Sequence, residues 1–141
     1  DGSPRTVHAR ALIGADGANS AVGRSMFGEA ARSPYVFAYH EIVRSPVGRH
    51  ATFEPQRCDV HYMSTISPDF YGWVFPHGET TSVGVGSAVK GFDLRAAAGL
   101  LREKAGLERQ EIVRREGAPL PLKPLRRWDN GRETVLIGDA A

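Results

Sequence analysis

The stretch SPDFYGWVFPHGETTSVGVG, residues 67–86, leaves a folding chain little choice. Tyr71, Trp73 and Phe75 fall on alternate positions, and beyond a Pro-His-Gly break Val83 and Val85 alternate with small residues. A period of two is the period of a strand, and two such runs around a short glycine-containing break make a hairpin. With His77-Gly78 as the loop, the register predicts Phe75 opposite Thr80, Trp73 opposite Ser82 and Tyr71 opposite Gly84. One face then carries Tyr71, Trp73 and Phe75 beside Thr80, Ser82, Gly84 and Gly86. The other carries Phe70, Val74, Val83 and Val85, an ordinary core face. The first is an aromatic ridge beside a trough of small residues, and glycine inside a strand marks close approach by another group. Two uses fit: packing under a crossing helix, or a groove for a long, flat apolar ligand.

The rest of the chain frames this hairpin. Residues 6–13 read as a strand ending in a Gly-Ala-Asp-Gly turn, followed by a short helix from Ser20 to Phe27. Residues 35–43 and 57–66 suit strands. From Asp93, a natural N-cap, the period changes: Leu94, Ala97, Leu101 and Ala105 trace one helical face, which Gly106 can close. The proline-rich EGAPLPLKPLRRWDNGRE predicts no regular element, and TVLIG predicts a last buried strand at 134–138. The expected order is a strand-turn unit, an antiparallel meander of about four strands, a helix, a loop and a second strand-turn unit. That is an α+β chain with an antiparallel layer set between pieces of a nucleotide-binding sheet.

Charge and cysteine content narrow the function. A net charge of +2 over 141 residues, with only Arg114-Arg115 and Arg126-Arg127 as basic doublets near the C-terminus, gives no nucleic-acid footprint. Cys58 is the single cysteine, so there is no internal disulfide. No apolar run approaches the ~20 residues of a membrane span. His8, His40, His50, His61 and His77 lack metal-ligand spacing and read as surface or turn residues, and no Ser-His-acid order stands out. GVGSAV, from Gly84, begins like a dinucleotide loop but has Val89 at the last glycine and follows a hairpin strand. Both ends, Asp1-Gly2-Ser3-Pro4 and VLIGDAA, read as cut, which predicts an internal piece of a longer protein with N- and C-terminal parts missing.

Three motifs carry a family resemblance. PDFYGWVFP spells P-x-x-Y-x-W-x-F-P with Pro68, Tyr71, Trp73, Phe75 and Pro76 in place, and it resembles the signature of the geranylgeranyl reductases, flavoenzymes that saturate prenyl double bonds. GADGANSAVGR, Gly14 to Arg24, resembles the Asp-Gly motif of the wider p-hydroxybenzoate-hydroxylase-like class, and LIGDAA, Leu136 to Ala141, its Gly-Asp motif. The resemblance covers nearly the whole chain, and the pieces FPHGETTSVGVGSAVKGF and APLPLKPLRRWDNGR resemble the branch acting on chlorophyll or bacteriochlorophyll and on geranylgeranyl diphosphate.

The resemblance implies a fragment of a p-hydroxybenzoate-hydroxylase-like FAD fold: 1–30 and 119–141 from the FAD-binding domain, 31–118 the substrate-binding sheet and helix. It implies FAD and NADPH as cofactors, with Asp16, Gly17, Arg24, Gly138 and Asp139 on the cofactor side and Asp139 on the ribityl chain; Arg24 could instead pair with Asp16. Tyr71, Trp73, Phe75, Pro76 and Gly84 form the substrate side. The partner is a prenylated lipid or pigment, not nucleic acid, with peripheral membrane contact as an option. The location is cytoplasmic or peripheral to a photosynthetic membrane. The implied reaction is geranylgeranyl to phytyl reduction, with the fragment alone inactive. The alternatives are an FAD-dependent aromatic-ring monooxygenase and a lipid- or pigment-binding module without chemistry. Reduction of an alkene needs a proton as well as a hydride; Tyr71, His77 and Glu79 are acids near the motif, and nothing in the sequence selects one.

Overall fold

A computed structural model describes residues 3–48 and 50–141; the opening Asp1-Gly2 of the expected turn lies outside them. In chain order the elements are β1 (Leu12–Gly14), α1 (Ala21–Phe27), a 3-10 turn (Gly28–Ala31), β2 (Tyr35–Arg44), β3 (Asp59–His61), β4 (Gly72–His77), β5 (Thr80–Ser87), α2 (Leu94–Lys104), β6 (Ile112–Pro121), β7 (Thr134–Leu136) and a 3-10 turn (Gly138–Ala140). They divide into two compact units. The first joins residues 1–34 to 121–141, and the second is 35–120. Parallel and antiparallel sheets with few helices make this a mixed α and β architecture.

The second unit is a five-stranded sheet in the order β3-β4-β5-β2-β6. One face packs on α2. Val43, Val74, Val83 and Val85 from the strands meet Ala97, Ala98 and Leu101 from the helix, with Phe53, Ile66 and Leu107 completing the core. Asp93 caps α2 as expected, accepting from the Ala96 N–H at 2.9 Å. Beneath the helix, Glu41 is 5% exposed. It accepts from Arg102 Nη1 at 2.9 Å, Tyr39 Oη at 2.9 Å and Arg115 Nε at 3.3 Å. Burial, with Glu41 next in effect, pushes the Tyr39 phenol above its usual range. Arg102 Nη2 also reaches the carbonyls of Leu107, Glu108 and Gln110, which ties the loop after α2 to the sheet.

Several expectations shift. The hairpin loop is Gly78-Glu79 rather than His77-Gly78, because His77 pairs with Thr80. Gly78, at φ +71, occupies the first loop position, the place a type II′ turn reserves for glycine. The register therefore moves by two residues, to Phe75 opposite Ser82 and Trp73 opposite Gly84. A shift of two preserves the faces. Phe70 is a separate correction: it precedes β4 and lies over Gly86, on the aromatic face rather than the core face. The strand expected at 57–66 is only Asp59–His61, because the chain turns at Met63, whose carbonyl accepts from the N–H groups of Ile66 and Ser67. That turn drops Ile66, 0% exposed, into the core.

The largest departure is β6, since residues 116–121 were expected to be irregular. Pro119 and Pro121 are tolerated because β6 is an edge strand, where a missing N–H breaks no ladder. Pro76 survives in β4 for a related reason: β3 pairs only as far as Val74.

The first unit is built on β1 and β7, paired in parallel: Leu12 with Thr134, Ile13 with Val135 and Gly14 with Leu136. Both strands are shorter than expected, three residues each. Residues 6–10 are exposed and form no strand. Leu125, Leu136 and Ala140 are buried together, with Val22, Met26 and Phe27 of α1 packed on them. No helix among the described residues is long and apolar enough to cross a membrane.

Candidate functional site

In the first unit, parallel pairing sends the Asp-Gly and Gly-Asp segments out of the same, carboxyl end of the strand pair. The Ile137 N–H bonds the Gly14 carbonyl at 2.9 Å, so the two chains are still in step as they leave. Ligand crevices in open parallel sheets lie at this end.

The two aspartates there are in different states. Asp16 is engaged by its own loop: Oδ1 accepts from Ser20 Oγ at 2.5 Å, and Oδ2 from the N–H groups of Ala21 at 2.6 Å and Val22 at 3.2 Å. Ser20 in turn accepts from the Gly23 N–H at 2.8 Å. The Ser20 hydroxyl and, after it, the Val22 and Ala21 amides hold the Asp16 carboxyl below its usual range. Gly17, at φ +77, allows the turn that bends the chain back for this capping. Arg24 donates to the Asn19 carbonyl at 2.5 Å rather than to Asp16.

Asp139, by contrast, is exposed and takes part in no hydrogen bond or ion pair among the described residues. With Gly138, Leu136, Lys123, Pro124 and Trp128 it lines an open cavity of about 430 Å³. A free carboxylate at the carboxyl end of a parallel strand is a fitting acceptor for sugar or ribityl hydroxyls.

In the second unit, the face away from α2 carries a continuous aromatic lane. Ring centroids are 5.6 Å apart for Tyr62 and Tyr71, 6.2 Å for Tyr71 and Trp73, and 6.3 Å for Trp73 and Phe75. Phe70 stacks on Tyr71 at 4.1 Å. The trough of small residues is not empty. A methyl group on Gly84 would overlap the Trp73 indole and come within 2.6 Å of His40 Cβ, and one on Gly86 would meet Phe70 at 2.6 Å. Gly84 and Gly86 therefore serve first to let Trp73 and Phe70 lie flat on the sheet. Trp73 is only 8% exposed, while Tyr71 and Phe75 are half-buried and Tyr62 exposed.

One chain of polar groups runs through this apolar face. Trp73 Nε1 donates to Ser82 Oγ at 3.0 Å, Ser82 Oγ lies 2.9 Å from His40 Nδ1, and His40 Nε2 lies 3.0 Å from Glu116 Oε2. Arg114 Nε holds the other Glu116 oxygen at 3.0 Å. His40, read from sequence as a surface or turn residue, is central to β2 and faces Gly84. Sequence reasoning missed it because its partners lie 42 and 76 residues away, and missed Glu116 because β6 was not expected. This Ser-His-carboxylate arrangement is not an exposed nucleophile: Ser82 is 6% exposed and its oxygen already accepts from the indole. Of the acids weighed from sequence, Tyr71 lies in the lane, whereas His77 and Glu79 are exposed at the hairpin tip.

No protein-family model matches the chain. Among curated proteins, it is 51% identical to a geranylgeranyl diphosphate reductase from Rhodobacter capsulatus, over 99% of this chain and 35% of that protein. It is 39% identical to a chloroplastic geranylgeranyl diphosphate reductase from Oryza sativa, over 99% of this chain and 30% of that protein. Among solved structures, a geranylgeranyl bacteriochlorophyll reductase-like protein from Thermoplasma acidophilum superposes with a TM-score of 0.66 at 26% identity, covering 94% of this chain and 34% of that one. The chain thus spans about a third of the length of the curated relatives it matches. The likeness to geranylgeranyl reductases holds from one end of these residues to the other.

Proposed function

We propose that this chain is the part of a flavin-dependent prenyl reductase that holds the ribityl side of FAD in its first unit and the isoprenoid chain of the substrate in its second. The fold is then the p-hydroxybenzoate-hydroxylase-like one, with the substrate sheet set into the nucleotide-binding domain. The observation that carries the cofactor half is the parallel pairing of β1 with β7, which delivers an unpartnered Asp139 to the carboxyl end of the pair. The substrate class rests on the names of the relatives together with the aromatic lane. The reaction is geranylgeranyl to phytyl reduction with NADPH as donor, and the lane is suited to a membrane-derived, prenylated lipid or pigment taken up peripherally.

FAD, when bound, supplies the hydride. The protein's own contributions follow from its chemistry. Asp139 accepts hydrogen bonds from cofactor hydroxyls. Asp16 and Gly17 act at one remove: they cap α1 and so shape the loop at the same strand end. Tyr71, Trp73 and Phe75 offer flat, apolar surfaces that match an isoprenoid chain and exclude water; Pro76, expected on the substrate side, pairs with Thr81 and falls on the Val74 face, off the ridge. The relatives lend no support to the monooxygenase or the purely binding alternative.

The test uses the full-length protein, purified and given NADPH and geranylgeranyl diphosphate without oxygen. Mass spectrometry should find a product heavier by two hydrogens for each bond reduced. A protein without flavin, or NADPH oxidation in air with peroxide release and unchanged prenyl mass, would reject the reading.

A further inference from the structure

The polar chain on the aromatic face has fewer degrees of freedom than it first presents. An indole N–H can only donate, so Ser82 Oγ must be its acceptor. An ionised carboxylate can only accept, so the His40 Nε2 facing Glu116 must carry a proton. The one free choice lies between His40 Nδ1 and Ser82 Oγ. With a neutral imidazole, Nδ1 is bare and Ser82 must donate its proton to it. With a charged imidazole, Nδ1–H donates to Ser82, and the hydroxyl proton has to turn elsewhere. Ser82 Oγ then accepts from His40 and Trp73 at once.

We propose that His40 is the positioning residue of the aromatic lane: through Ser82 it fixes the Trp73 indole, and its protonation decides whether the Ser82 hydroxyl proton points toward His40 or away from it. The lane's role in binding substrate rests on the function proposed above; the coupling of His40 to Trp73 does not. The groups that face His40 come from three strands. Glu116 and, behind it, Arg114 face it from β6; Ser82 on β5 and Trp73 on β4 are neutral, and across the sheet on β5 stands Gly84. Trp73 has no slack to absorb a change, because its ring lies on Gly84 with His40 beside it, centroids 6.2 Å apart. A change in the Ser82 bond must therefore alter the environment of the indole.

The experiment labels the full-length protein with 5-fluorotryptophan and follows its fluorine NMR spectrum from about pH 5 to 8, the range in which histidine titrates. The Trp73 resonance is assigned by its loss in Trp73→Phe. It should move through a single transition in the wild type and stay flat in His40→Gln. It should also stay flat in Ser82→Ala, where His40 is still present but the connecting oxygen is gone. The other tryptophan resonances report whether each variant is folded; if His40→Gln is not, Ser82→Ala decides. A Trp73 transition that persists in either folded variant, or a flat wild type, overturns the proposal.

Adding geranylgeranyl diphosphate separates the two ideas. It should shift the Trp73 resonance, and loss of the hydrogen bond in His40→Gln should raise KM by roughly threefold to tenfold, more than it lowers kcat. A Trp73 resonance that titrates through His40 but ignores the prenyl diphosphate would uphold the positioning role and reject the lane as the substrate surface.

Discussion

Gly17 in the first unit and Gly84 in the second are both glycine by necessity, but for different reasons. At Gly17 a methyl group would meet nothing within 4 Å; its positive φ is what matters. At Gly84 the backbone is ordinary strand, and a methyl group would strike the indole of Trp73. The contrast runs through both regions. The first unit rests on two three-residue strands, and its motif residues shape loops at their carboxyl end. The second has a continuous core against α2, and its motif residues pack on one another across a sheet face. Asp16, Gly17 and Asp139 in the first unit can be changed without disturbing buried packing, whereas Trp73 and Gly84 in the second cannot.

The sharpest way to break this comparison is Gly84→Leu. Its Cβ alone has no room beside Trp73 and His40, and overpacking at such a site costs about 3 kcal/mol. Thermal unfolding should register that loss, and prenyl reduction by the full-length protein should fall at unchanged flavin content. Gly17→Ala, a left-handed position in open space, should cost only about 1 kcal/mol. Equal effects at the two glycines would mean that Trp73 does not depend on the Gly84 surface.

Asp139→Ala comes next. Asp139 is exposed and unpartnered, so the apoprotein's unfolding should not change. In the full-length protein, the loss of charge-assisted hydrogen bonds to a cofactor hydroxyl costs roughly 1.5–3 kcal/mol, so FAD affinity should fall about tenfold or more. Flavin retained through extensive dialysis would remove Asp139 from the cofactor side.

What the sequence disclosed divides along the same line. Alternation gave the faces of the hairpin correctly from Tyr71 onward, Phe70 alone being misassigned, because a period of two survives a register error of two. It misplaced the turn, because Gly78 fits either loop position until the pairing of His77 with Thr80 is seen. The helix from Asp93 was legible from its cap and its 3.6-residue period. β6 was not: prolines argue against a strand unless it lies at an edge, and edge position is a property of the whole sheet. His40 and Glu116 were illegible for that reason too, since their meeting depends on β6 lying beside β2. The first and last strands were legible as strands and pair as β1 and β7, though both were overextended.

The smallest expected effect concerns Asp16, and it tests whether the first unit's motif is structural at this position. Its folded-state carboxyl is held below the ordinary value of 3.8, first by the Ser20 hydroxyl and then by the Val22 and Ala21 amides. A lowered folded pKa means that the ionised form favours the folded loop. The contribution is fully present above the ordinary carboxylate value and fades as the pH falls through the folded one. In Asp16→Asn the charge is gone, and the side-chain amide can no longer accept through two oxygens. Protection of the Ala21 and Val22 amides from hydrogen exchange should therefore be lower than in the wild type at pH 7, and the two proteins should converge only once the pH has fallen through the lowered, folded-state value. Because Asp16 is fully exposed, the difference should stay confined to the start of α1 and leave the second unit's amides unchanged. A difference that persists at low pH, or reaches the Trp73 strand, would show that Asp16 supports more than its own loop.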